Sequence, residues 1–151
     1  MKKIFVIATA LLMCCMVMGC GVKAQLVGTW KSSDSYEEST EVFKYTEKTD
    51  MTLNINKDGT FSWVTVMTET STPTGGDPKS YVTTFKESGS WYYHDSDKVI
   101  LKITNSSEQY DDDEPEISDD IEYLSAEVVL VDDILFVDYG YTSIYEFTKA
   151  K

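Results

Sequence analysis

From residue 26 onward the apolar residues fall at every second position, in short runs separated by turn signals, and no stretch sustains an i, i+3, i+4, i+7 apolar stripe. A helix cannot present such a pattern as one buried face, so the chain is predicted to be all-β. The first strand opens at 28–31, with an interruption expected over 32–39 and a continuation through 42–45; the next covers 51–55. Lys57-Asp58-Gly59-Thr60 supplies a hairpin turn, because glycine tolerates the positive φ that tight hairpins demand. A strand over 60–70 follows, with Phe61, Trp63 and Met67 on one parity and Val64 and Val66 on the other. The breaker-rich segment 71–78 reads as a connection within one domain, since the strand pattern resumes over 81–93. A fifth main strand covers 99–103, and the last three run over 121–131, 134–138 and 143–148, joined by Asp132-Asp133 and Tyr139-Gly140. About eight strands with short links pair as sequential antiparallel neighbours, and the expected architecture is a single up-and-down barrel, which removes exposed sheet edges.

Ahead of this domain, Lys2 and Lys3 precede an uncharged apolar run over 4–18. The run is shorter than the roughly 20 residues a spanning helix needs, and it has the layout of an export signal. Val17-Met18-Gly19-Cys20 resembles a bacterial lipobox, which implies a signal peptide over 1–19 and a diacylglycerol group on Cys20. The alternative is cleavage after Val22-Lys23-Ala24, giving a signal peptide over 1–24 and a soluble secreted or periplasmic product. Under the first reading, residues 20–25 form a short tether and 26–151 the barrel domain, held close to the membrane. Cys14 and Cys15 are discarded under either reading, so the mature chain has no pair of cysteines for a disulfide.

Charge then narrows the partners. The 13 basic residues are all lysine, against 26 Asp and Glu, for a formal charge of −13. Nucleic acid is an unsuitable partner for such a surface, and so is electrostatic docking on an anionic leaflet. Attachment is expected through the membrane-inserted acyl chains of Cys20, and a monomer is expected.

Gly28-Thr29-Trp30, placed directly after an export signal at the head of a β-chain of this length, resembles the opening G-x-W of lipocalins. It is more similar still to the small lipocalin-like lipoproteins of Bacteroidota-type bacteria. The Lys57-Asp58-Gly59-Thr60-Phe61 hairpin, the Gly89-Ser90-Trp91-Tyr92 strand and the closing Tyr145-Glu146-Phe147-Thr148-Lys149 support this likeness, which spans about residues 26–149. The resemblance implies that Lys149 packs over Trp30 to close the barrel base, in the place where family members more often carry arginine. It also implies a cell-envelope protein that binds or carries a small hydrophobic ligand, on the outer membrane facing the periplasm, since Gly21 rather than an acidic residue follows Cys20. Phe61, Trp63, Tyr81, Phe85, Trp91, Tyr145 and Phe147 are the candidate cavity lining. Their bulk favours an interior filled by side chains, and the alternative function is a filled barrel serving as a protein-interaction or inhibitor module.

No catalytic motif accompanies this framework. His94, the only histidine, sits beside Asp95 in an expected hairpin turn, and neither a nucleophile elbow, a zinc-protease helix nor a phosphate-binding glycine loop is present. A non-enzymatic protein without cofactor or metal is expected. The acidic run over 110–120 lacks the alternating carboxylates and central glycine of an EF-hand and reads as a solvated inter-strand loop.

Overall fold

The computed structural model describes residues 24–94, 98–118, 125–140 and 144–151. The export segment, Cys20 and the start of the strand expected from 121 lie outside the described residues. The strands are β1 (Gly28–Ser39), β2 (Phe43–Ile55), β3 (Thr60–Pro73), β4 (Lys79–Tyr93), β5 (Lys98–Tyr110), β6 (Glu116–Ile117), β7 (Ser125–Val131), β8 (Ile134–Asp138) and β9 (Ile144–Lys149). Every neighbour pairing is antiparallel. Seven of the eight main pairings join consecutive barrel strands, and β1 against β9 closes the ring, so the protein is an eight-stranded up-and-down barrel; β6 is a two-residue addition to β5.

β1 to β5 are all longer than the apolar pattern predicts, β1 and β5 conspicuously so. β1 runs unbroken to Ser39, and the segment 42–45, expected to continue that strand after a break, instead opens β2 beyond a turn at 40–42, where Thr40 Oγ1 accepts from the Val42 and Phe43 amides. β5 continues to Tyr110. In both extensions the two faces are polar, so the alternation of apolar and polar residues that marks a half-buried strand vanishes while the ladder persists. The turn at 57–60 is as expected: Gly59 adopts φ +86°, and Asp58 Oδ1 accepts from the Thr60 amide and hydroxyl. Those two hydrogen bonds hold the Asp58 carboxyl below the usual carboxylate range.

Strand length sets the shape. β1 to β5 have 12 to 15 residues, whereas β7, β8 and β9 have 7, 5 and 6. All eight meet at the end that holds Gly28, Ile55, Val131 and Lys149, and there the ring is complete. Beyond it the long strands rise as a tall, curved wall that the short strands do not match.

The complete half is packed solid. Trp30, Leu53, Ile55, Phe61, Trp91, Leu101, Val128, Leu135, Val137 and Phe147 fill it, all on the inner parity of their strands. A helical turn at 24–26 brings Leu26 beneath the barrel, where its carbonyl accepts from the Trp30 indole at 2.8 Å. In this half the interior is filled, as the bulk of the aromatics suggests; in the upper half it is not, because the strand count around the axis falls and the inward residues become smaller and polar.

Candidate functional site

The upper half of the barrel encloses a cavity of about 880 Å³. Its floor is the top of the packed core: Trp63 on β3, Met51 on β2 and Tyr145 on β9, with Met67 and Phe85 rising along the tall wall. Residues of both parities on β1 and β9 line it, Ser33 and Glu146 among them. That places the opening between these two strands. β1 and β9 pair only at Trp30 with Lys149 and Lys31 with Thr148, and above that point they are not paired.

Trp63 is the centre of the floor. Its ring makes edge-on contacts with Tyr139, Tyr145 and Phe147, at centroid separations of 5.4, 5.8 and 5.6 Å. The side chain is 3% exposed, yet its indole Nε1 finds no hydrogen-bond acceptor among the described residues. An indole N–H only donates, and a buried donor left unpaired costs about 1–3 kcal/mol. The other two tryptophans are satisfied, Trp30 by Leu26 and Trp91 by the Asn56 carbonyl.

The cavity walls are acidic. Asp34, Glu47, Glu87 and Glu146 line it, and among the described residues no lysine does. Glu87 is the most enclosed. Burial raises its pKa above the ordinary glutamate value, partly offset by the hydrogen bond it accepts from the Tyr139 hydroxyl. Burial and that same carboxylate keep Tyr139 protonated well beyond the usual phenol range. Higher on the wall, the Tyr45 hydroxyl lies within hydrogen-bond reach of Glu69 and Glu47, and its pKa too is raised.

Register explains why acids gather here. Each inward carboxylate lies on the parity of the core residues below it: Asp34 with Trp30, Glu47 with Leu53, Glu69 with Trp63, and Glu87 with Trp91. Lys44, Lys48 and Lys86 take the opposite parity and face outward. This acidic lining was absent from the sequence-derived candidates, although extending the core parity up β2, β3 and β4 finds most of it.

The sequence-derived candidates are spread over three places. Trp63, Phe85 and Tyr145 line the cavity; Phe61, Trp91 and Phe147 lie beneath it in the core; Tyr81 is exposed near the start of β4. At the base, the Lys149 ammonium lies 5.2 Å from the Trp30 ring centroid and donates to the Gln25 carbonyl at 2.6 Å. A Cβ on Gly28 would come within 2.9 Å of Lys149 Cε, so glycine leaves the lysine stem its path. His94 is exposed at the β4–β5 turn, at the opposite end from the cavity. Within the acidic run, Asp111 exchanges hydrogen bonds with Val82 and ties β5 to β4. Among the described residues no group of three or more His, Cys, Asp or Glu side chains is arranged to hold a metal ion, and no helix is long and apolar enough to cross a membrane.

Together these features define a closed antiparallel barrel with a packed base and an acid-walled cup, an architecture consistent with a lipocalin-like fold. No protein-family model matches the sequence, and no curated protein is significantly similar to it.

Glu87 gives the site a pH signature. Because its folded pKa is raised, the carboxyl stabilises the fold while protonated, and that contribution is lost as pH rises through the folded pKa. Asp34, Glu47 and Glu146 line the same cavity, and Tyr139 supplies the facing donor. Glu87→Gln is therefore expected to gain stability relative to the unaltered protein as pH climbs from the ordinary carboxylate range to neutrality. Denaturation midpoints of both proteins across that range test this, and a difference independent of pH refutes it.

Proposed function

We propose that this protein is a non-enzymatic envelope lipoprotein, anchored through acylated Cys20, whose barrel binds or carries a small, largely apolar molecule. The observation that carries the reading is the cavity: about 880 Å³, with an apolar floor and a side opening, lies within the 300–1,000 Å³ typical of small-ligand sites. Export and anchoring rest on the lipobox-like Val17-Met18-Gly19-Cys20 and the apolar run before it. The outer membrane, facing the periplasm, is the proposed location.

Native mass spectrometry of the protein released from its own envelope, followed by the same measurement after denaturation, tests both parts. The expected denatured mass is that of a chain beginning at acylated Cys20; a chain beginning at Gln25 refutes the anchor. The native species is expected to carry an additional small-molecule mass that denaturation releases. Thr65→Trp, which puts an indole into the middle of the cup, is expected to arrive without it. A protein that stays empty after incubation with envelope lipid extract would refute ligand carriage.

A further inference from the structure

The strongest unexplained feature is the distribution of charge between the two faces of the tall wall. The three ion pairs among the described residues, Lys44 with Glu37, Lys48 with Asp50 and Lys98 with Glu127, all lie on the outer surface. The carboxylates that line the cup share it with no lysine. They draw on neutral donors instead, as Glu87 does on Tyr139. Converging like charges beside a low-dielectric floor raise the potential inside a concave site, and the sign here is negative. Tyrosine and tryptophan rings at the floor add the negative faces of their π-systems.

The second observation is independent of those acids. Met51, Trp63, Met67, Phe85 and Tyr145 give the cup an apolar floor and lower wall, and Trp63 is more than nine-tenths buried. A carboxylate-walled cup over such a floor is complementary to a molecule with two properties: an apolar body and a positive charge. An anionic amphiphile such as a fatty acid would satisfy the floor but would place its head among Asp34, Glu47 and Glu87.

We propose that the cup selects an amphipathic organic cation, with its apolar part on the Trp63 floor and its ammonium group among Asp34, Glu47 and Glu87. This rests on the ligand-binding reading above and names the ligand class. The cation stays near the opening between β1 and β9, where Asp34 and Glu146 border the entrance. No bond is made or broken, and selection follows from the field inside the cup and from desolvation.

Chain-matched probes separate the two claims. Calorimetric titration of the full protein with decyltrimethylammonium, decanol and decanoate, each below its aggregation concentration, is expected to rank them in that order. The ammonium should bind at least about tenfold more tightly than the carboxylate, a gap of about 1.4 kcal/mol. Its advantage should shrink as salt is raised, as expected for unscreened charge near an opening. Glu47→Gln and Glu87→Gln, singly and together, are expected to narrow the ammonium-to-decanol ratio stepwise. Equal binding of the three charge types, or preference for decanoate, overturns the cationic assignment while leaving a ligand-binding barrel intact. Calcium displacing the ammonium probe at micromolar concentration would overturn it in favour of a metal ion. Failure of all three organic probes overturns the ligand-binding reading itself.

Discussion

Trp30→Ala is expected to remove about 3–5 kcal/mol of folding stability, the usual cost of truncating a fully buried tryptophan. Against a total of about 5–15 kcal/mol for a domain of this size, that is enough to unfold a substantial fraction of the molecules. Three losses coincide at this one position. Trp30 is 1% exposed and plugs the base of the barrel beneath Leu53, its register partner on β2. Its indole bond to the Leu26 carbonyl fixes the helical turn at 24–26 under the barrel, and removing it frees that segment. Its ring is also the surface over which Lys149 lies, at one of only two register pairs that close β1 on β9. Urea denaturation of the purified protein measures the loss. Lys149→Met, which keeps the aliphatic stem and removes the charge, is expected to cost under about 1 kcal/mol, the range of exposed ionic and cation–π contacts. A Trp30→Ala loss no larger than that of Lys149→Met would show that the base is not where this barrel is held shut.

Gly89→Val is the second large effect, and its cause is backbone rather than core. β4 and β5 change register between Ser88 and Gly89, where Thr104 is the extra residue on β5. A β-bulge of this kind brings the partner chain unusually close. A Cβ at Gly89 would run into the carbonyl of Lys102, with Phe61 Cε1 at 3.1 Å on the other side. Neither can move freely: one is backbone in a ladder and the other a core ring. Overpacking costs typically about 1–3 kcal/mol, and more where backbone must shift, so Gly89→Val is expected to reach or exceed the top of that range. Gly75→Ala is the control, since nothing lies within 4 Å of its Cβ and only its φ of +76° opposes the change. Equal stabilities of the two variants would refute the close approach at the bulge. The bulge also bears on the site. Past Thr104 the even-numbered residues of β5 turn inward, so Ser106 and Glu108 pair with Glu87 and Phe85 on the cavity side.

That switch shows where sequence reading stops. Inner and outer faces of β2, β3 and β4 were legible by counting from Leu53, Trp63 and Trp91, because side chains alternate strictly along an unbroken strand. On β5 the same count from Leu101 assigns Glu108 to the wrong face, since one extra residue inverts parity and nothing local in Asn105-Ser106-Ser107 announces it. The base was legible for a related reason: Gly28-Thr29-Trp30 and Lys149 are short, specific signals at the two ends of the chain. The cup was not. Whether seven large aromatics fill a barrel depends on how many strands surround each of them, and that number differs between the two halves.

The sequence by itself determined the periodicity, and with it the all-β class, the hairpin at Gly59, the antiparallel order and the inward residues of the unbroken strands, because alternation and turn chemistry are local properties. Only the tertiary structure decided that β7, β8 and β9 stop short, that β1 parts from β9 above Lys31, and that the inward acids of the long strands surround the floor at Trp63. Those outcomes depend on register between strands distant in sequence, and register is set by the fit of the whole ring rather than by any segment of it.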